Sequence, residues 1–153
     1  MQRNENSPPI TIFTIGFTKK TAETFFGKLK SAGVVKIVDT RLNNESQLAG
    51  FTKKEDLKYF LKTILRIDYI HALDLAPTNE MLSAYKKKKI TWSEYEERFR
   101  ALILGRKIEN LFTPGELDKA CLLCSEAEPH QCHRRLVAEY LKSKWPRLVV
   151  RHL

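Results

Sequence analysis

The sequence predicts a single-domain α/β protein, in which helices flank both faces of a mostly parallel sheet in a Rossmann-like three-layer arrangement. Short unbroken apolar runs alternate with longer segments whose apolar residues recur every three or four positions. The resulting order, β-α-β-α-β-α-α-β-α-β, is typical of parallel sheets. The 153 residues contain no repeat, linker or low-complexity tract. We therefore expect residues 1–9 to be a flexible lead-in and residues 10–153 to form one domain.

The predicted strands are short runs rich in β-branched, aromatic and aliphatic residues. We expect strands at residues 10–15, 34–38, 68–73, 120–124 and 148–150. Gly16 follows the first strand, where the absence of a side chain lets the backbone turn or approach a ligand closely.

The predicted helices are marked by capping residues and apolar stripes. The first begins at Thr18 or Thr21 and ends at Gly33. The others are expected at residues 52–65, 78–88, 91–104 and from about 132 to 141, and residues 105–117 form a connector with one short helix broken by Pro114-Gly115. Thr91 and Glu94 fit a capping box. Trp92, Tyr95 and Phe99 lie at helical spacing, which favours packing in the core or against a partner over stacking on a base.

The charge balance favours a polyanionic partner. The chain has 27 Lys and Arg against 18 Asp and Glu, a formal net charge of +9. Such a balance suits nucleic acid, a nucleotide or an acidic surface, and it also serves plain solubility. The basic residues are scattered except for the run Lys86–Lys89, which on its own is typical of a solvated helix end.

Membrane insertion and secretion are not expected. No apolar run approaches the roughly 20 residues of a membrane-spanning helix, and the polar start MQRNENSPP lacks the apolar core of a signal peptide. We therefore expect a cytoplasmic location. Three cysteines are an odd number, which argues against a disulfide framework and for reduced thiols or a metal site.

Reactive side chains concentrate where predicted strands end and the last long helix begins. In open α/β sheets, ligands bind outside the carboxyl ends of the strands, and helix amino termini attract anions and lower the pKa of nearby thiols. The predicted ligand-binding residues are Gly16, Arg41, Gln47, Cys124 and Arg134, and the predicted catalytic residues are Asp39, Glu126, Cys132 and His133.

Each role has an alternative. Arg41 and Arg134 suit a phosphate or carboxylate, because a guanidinium presents paired donors. Asp39 either moves a proton or holds a loop through bidentate hydrogen bonds. Glu126 is either a general acid or base or a loop carboxylate bound to an arginine. Cys132 is a candidate thiolate nucleophile.

No metal site and no particular cofactor are predicted. Cys124, Cys132 and nearby histidines could supply zinc ligands, but the spacing lacks a C-x2-C pair, and the adjacent Cys132 and His133 point in different directions. A cysteine-phosphatase loop starting at Cys124 needs an arginine six residues later, where this chain has His130.

Four stretches, TIGF, VDTRLNN, SQLAGF and CSEAEPHQCHRRLVAEYL, together resemble the DUF488 family of small prokaryotic proteins. The pattern of that family is a TIG strand, a VDxR strand end and a closing C-x-E…CHR motif. The likeness runs from about Ile10 to the final strand. Many members carry His after TIG, whereas this chain has Phe17, so chemistry that needs a base there is not expected. The resemblance implies the fold but no reaction, because the family is named for lacking an established function.

Two functions remain open from the sequence. The first is an enzyme acting on a phosphate-bearing small molecule, nucleotide or nucleic acid, of which cleavage of a glycosidic bond by paired carboxylates is one version. The second is a non-catalytic module that binds a nucleotide or nucleic acid in the same anion site. Both require that the arginines and carboxylates meet at one edge of the sheet.

Overall fold

The computed structural model describes residues 8–45, 50–126 and 130–153. The strands in this part are β1 (Ile10–Gly16), β2 (Lys36–Asp39), β3 (Asp68–His71), β4 (Ala120–Cys124) and β5 (Leu148–His152). They form one parallel sheet in the order β3-β2-β4-β1-β5. The predicted parallel α/β fold is confirmed, and strand bounds differ from the predicted ones by at most two residues.

The helices of the described chain alternate with these strands. They are α1 (Ala22–Ala32), α2 (Lys54–Phe60), α3 (Asn79–Lys86), α4 (Trp92–Arg106), α5 (Pro114–Leu117) and α6 (His133–Lys144). Helix α2 continues into a π-helical turn at Leu61–Leu65, and short 3-10 turns lie at Gly50–Thr52, Leu73–Leu75 and Ile108–Asn110. None of these helices has the length and apolar character that crossing a bilayer requires.

Local capping chemistry explains where several helices begin. Thr21, rather than Thr18, caps α1 and accepts a hydrogen bond from the Thr24 backbone, and Gly33 ends the helix with a left-handed φ of 74°. Thr78 caps α3 in the same way. Thr52 does not cap α2: it lies in the preceding 3-10 turn, and Lys53 precedes the helix without a side-chain cap bond.

The capping box lies elsewhere than predicted. The Thr91 hydroxyl accepts from the Glu94 backbone, which is one half of the expected box. Both reciprocal bonds are present at Thr113 and Glu116, at the start of α5. Pro114 therefore begins this short helix instead of breaking it, because proline has no N–H to lose in the first turn.

Two apolar cores cover the two faces of the sheet, because successive strand residues point to opposite sides. In β4, Ala120 and Leu122 contribute to a core with α3, α4, α5 and α6. Cys121 and Leu123 contribute to a second core with α1 and α2. The three-layer arrangement follows from this alternation.

The parallel register aligns the carboxyl ends of four neighbouring strands. Asp39 pairs with both His71 of β3 and Leu123 of β4, and Gly16 pairs with Cys124. This edge of the sheet therefore carries the predicted strand-end residues.

Candidate functional site

A cavity of about 160 Å³ lies at this edge of the sheet. Its walls come from the chain following β2, the chain following β4, the amino end of α6 and the α3–α4 region. The predicted site residues that line it are Arg41, Cys124, Glu126, Cys132 and His133. Gly16, Asp39 and Arg134 lie outside its lining, and Gln47 lies outside the described residues.

Asp39 is fully buried and its carboxylate is fully engaged. One oxygen accepts from the Arg41 backbone N–H at 3.1 Å and from Nε at 2.9 Å. The other accepts from Arg41 Nη2 at 2.8 Å and from the Tyr69 hydroxyl at 2.5 Å. This geometry favours the loop-holding alternative for Asp39 over a role in proton transfer.

Arg41 is held by this pairing but keeps one nitrogen unengaged. Nη2 also donates to the Thr52 carbonyl at 2.7 Å, and the guanidinium carbon lies 5.3 Å from the centre of the Phe17 ring. Nη1 is buried and has no hydrogen-bond partner among the described residues. The side chain is 4% exposed and borders the cavity. A buried N–H without a partner is costly.

Tyr69 and Asn44 complete the network around Asp39. Tyr69 donates to Asp39, and the Asn44 amide donates to the Tyr69 oxygen at 2.9 Å. Burial, reinforced by the neighbouring Asp39 carboxylate, raises the pKa of Tyr69. Sequence reasoning missed both residues. Asn44 lies within the VDTRLNN motif, whereas Tyr69 is an ordinary strand residue that no pattern singled out.

Two histidines fix the backbone between Asp39 and Arg41. His133 Nε2 lies 2.7 Å from the Thr40 carbonyl oxygen, and His71 Nε2 lies 2.7 Å from the Arg41 carbonyl oxygen. Because a carbonyl only accepts, each Nε2 carries a hydrogen and donates it. Burial lowers the pKa of His133 to about 4, so the ring is neutral at neutral pH.

We expect the stability of the protein to fall in acid partly through His133. Because the pKa of His133 is depressed, its contribution to stability is fully present above the unfolded pKa of about 6.5. That contribution is lost as the pH falls to about 4. Allowing for the partial exposure of the ring, the loss is about 2 kcal/mol. In urea titrations across this range, His133→Gln should flatten the pH dependence, while His130→Gln at an exposed position should not. Equal slopes in wild type and His133→Gln would contradict this assignment.

Arg134 is fully buried at the start of α6. Nη1 donates to the Glu126 carbonyl and lies 3.1 Å from Cys124 Sγ and 3.9 Å from Cys132 Sγ, and Nε donates to Thr14 Oγ1 at 3.3 Å. Arg134 therefore joins β1, the end of β4 and the loop after it. It shares the carboxyl edge of the sheet with Arg41, but only Arg41 borders the cavity.

Gly16 makes room for this arrangement. A Cβ atom at this position would overlap the Glu126 carbonyl and lie 2.6 Å from Arg134 Nη1. The close approach predicted for Gly16 therefore occurs, and its partner is the chain's own loop.

Cys124 and Cys132 form a disulfide in the cavity wall. The prediction of reduced thiols is wrong for this pair, because the loop after β4 brings the amino end of α6 back to the strand end. In this state Cys132 has no thiol with which to attack a ligand. Cys121 is the free cysteine of the chain, and burial raises the pKa of its thiol.

Glu126 is the acidic group at the cavity that stays available. The residue is exposed, and its carboxylate has no ion pair or hydrogen bond with another described residue, while its backbone carbonyl accepts from Arg134. The alternative in which the Glu126 carboxylate pairs with Arg41 or Arg134 does not occur among the contacts of the described chain.

An aromatic wall closes the cavity on the side of α3 and α4. Trp92 and Tyr95 stack with ring centres 5.2 Å apart, and Tyr85 contacts both rings. Tyr95 continues to the fully buried Phe99. The predicted core role of this stripe holds for Tyr95 and Phe99, but Tyr85, Trp92 and Tyr95 also border the cavity.

Metal binding finds no support in the described residues, where no group of three or more His, Cys, Asp or Glu side chains is placed to hold an ion. The cavity instead combines rings, cations and one carboxylate.

Comparison with known proteins gives one match. The family model described as "Domain of unknown function DUF488" matches residues 21–141, which is most of the chain. Neither a curated protein nor a solved structure matches.

Proposed function

The chain belongs to the DUF488 family, a domain of unknown function, and we propose from its site that it is an enzyme. This enzyme acts on a phosphate-bearing small molecule of the nucleotide type. The observation that carries this proposal is the pairing of an aromatic wall with cationic groups around one cavity. Few other ligands need both surfaces at once.

The cationic side of the cavity suits a phosphate. Arg41 Nη1 is a buried donor without a partner among the described residues. Helix α6 is 12 residues long, and its first residue, His133, borders the same cavity. The amino end of a helix carries partial positive charge and N–H groups that bind anions. Phosphate oxygens would satisfy both groups.

The aromatic side suits a ring. Trp92 and Tyr85 are partly exposed and present ring surface to the cavity. In the proposed complex the ring lies against this wall and one phosphate lies beside Arg41 and the amino end of α6. The rest of the nucleotide lies across the cavity mouth beside Lys86 and Gln131.

Glu126 is the residue we assign to acid–base chemistry. Its carboxylate is at the cavity and is not committed to another described side chain, unlike that of Asp39. His133 is neutral at neutral pH, because burial holds its pKa near 4. It would therefore accept a hydrogen bond through Nδ1 rather than donate a proton.

The test is Glu126→Gln, which keeps the shape of the side chain and removes its ability to exchange a proton. We expect turnover of mononucleotides to fall about 100-fold, with affinity measured by calorimetry nearly unchanged. Glu97→Gln, the same substitution at an exposed position on α4, is the control and should change neither quantity. Equal loss of turnover and affinity in Glu126→Gln would count against the acid–base role.

A second candidate is a non-catalytic binding module that uses the same cavity. The observation favouring it is that two predicted catalytic groups are already engaged. The Asp39 carboxylate is bonded to Arg41 and Tyr69, and the Cys132 sulfur is in a disulfide. Wild-type protein that binds mononucleotides and leaves all of them intact would assign this function.

A further inference from the structure

We propose that the ligand is one nucleotide within a single-stranded nucleic acid, and that the lysines Lys86–Lys89 bind the flanking phosphates. This inference rests on the proposed function, because it places the nucleotide in the same cavity. It adds the class of substrate and a surface that extends the site.

The lysine run begins at the cavity. Lys86 borders it and ends α3, which also carries Tyr85 of the aromatic wall. The chain then folds back on the helix, with the Lys88 N–H bonded to the Tyr85 carbonyl at 3.0 Å and the Lys89 N–H to the Ala84 carbonyl at 2.9 Å. The run is therefore a compact turn attached to the wall on which a base would stack.

The ammonium groups of this turn are available to phosphates. All four lysines are exposed, and the ion pairs among the described residues include none of them. The carboxylates of Glu96 on α4 and Glu139 on α6 are instead paired with Arg100 and Arg135.

The size of the cavity favours a single-stranded nucleic acid over a free nucleotide. A cavity that takes one nucleotide leaves the neighbouring nucleotides and their phosphates outside, where only a surface can hold them. Proteins that bind single strands combine a basic track with aromatic rings on which bases stack. Paired bases in a duplex are not accessible to such a wall.

A structural role for the lysines is the competing explanation, because cations near a helix carboxyl end offset its partial negative charge. That role predicts an effect on stability and none on the dependence of affinity on ligand length.

The experiment compares a mononucleotide with a single-stranded oligonucleotide of about ten nucleotides, by calorimetry and fluorescence anisotropy at about 50 and 200 mM salt. Wild type should bind the oligonucleotide more tightly and with steep salt dependence. The triple variant Lys87→Gln, Lys88→Gln, Lys89→Gln should reduce the slope of log K against log salt by about 2, at roughly 0.7 per phosphate contact. Its mononucleotide affinity should not change. Lys86 is left intact because it borders the cavity.

The matched control is Lys28→Gln, Lys30→Gln, Lys58→Gln, which removes the same charge from exposed positions on α1 and α2, across the sheet. Equal losses in both triple variants, or equal affinity for the mononucleotide and the oligonucleotide, would overturn the inference. A double-stranded oligonucleotide of the same length and poly-glutamate are further probes. If either binds as tightly as the single strand, the inference is also overturned. Mononucleotide binding without length dependence would leave the proposed function standing.

If the triple variant does not fold, the double variant Lys87→Gln, Lys89→Gln spares Lys88, whose backbone is left-handed. This double variant should give about two thirds of the change in slope.

Discussion

Replacing Asp39 by alanine is expected to lower the free energy of unfolding by about 3–5 kcal/mol, the usual result of removing one partner of a buried ion pair. The Arg41 guanidinium is 4% exposed and donates two of its hydrogen bonds to this carboxylate. Without Asp39, a buried positive charge has no counterion among the described side chains, and the Tyr69 hydroxyl loses its acceptor. Urea denaturation of wild type and variant measures the difference.

Two further variants separate the cost of an unpaired charge from the loss of volume. Asp56→Ala, at an exposed position in α2, should change stability by only a few tenths of a kcal/mol. The double variant Asp39→Leu, Arg41→Met removes both charges together and should be more stable than Asp39→Ala, because apolar pairs replace buried ion pairs well. A double variant less stable than Asp39→Ala would show that the charge pair itself is not the cause.

Replacing Gly16 by alanine is expected to cost about 3 kcal/mol, the upper end of the usual range for overpacking. The added Cβ would overlap the backbone carbonyl of Glu126 and crowd Arg134. A backbone atom cannot move aside as the tip of a flexible side chain can, so the loop after β4 must shift. Because that loop positions Glu126 at the cavity, turnover should fall together with stability.

Gly27→Ala is the matched control for this substitution. Gly27 lies within α1, and a Cβ there would meet nothing within 4 Å. Alanine is preferred to glycine inside helices, so this variant should gain roughly 0.5–1 kcal/mol. Opposite signs for the two glycines in thermal and urea denaturation would support the steric argument, whereas a neutral Gly16→Ala would contradict it.

The sheet was predictable because its signals are local. The runs at residues 10–15 and 120–124 are short, apolar and bounded by polar or turn residues, and both are strands. Helix starts were predictable at Thr78 and Thr91, which cap α3 and α4, but the start of α5 at Thr113 was missed. The start of α2 was not predictable, because Lys53 offers no side-chain cap and the threonine before it belongs to a different turn.

The meeting of candidate residues at one edge of the sheet was predictable, but the partners of their polar atoms were not. Parallel strands end at a common edge of the sheet. For this reason one cavity is lined by Arg41, Glu126 and His133. Which polar atoms are already engaged depends on partners far along the chain, such as Tyr69 for Asp39 and Glu126 for Arg134. No spacing rule within one segment reveals such partners.

The cysteines and the aromatic residues show the same limit. The odd number of cysteines favoured reduced thiols, but pairing depends on whether two residues meet in space, as Cys124 and Cys132 do. The spacing of Trp92, Tyr95 and Phe99 located the buried side of α4 correctly. It could not show that the same side, joined by Tyr85 of α3, also forms a cavity wall.

The position of β4 in the sheet has a consequence for how the polypeptide assembles. Strands β1 and β2 do not pair with each other: each pairs with β4, which follows them by more than 80 residues. As the chain leaves the ribosome, the two early strands must therefore wait, with their inner edges unpaired, for Ala120–Cys124 to enter between them. Contacts this distant in sequence make folding slow, and the strand that completes the sheet is also the one that brings the loop carrying Glu126 into place.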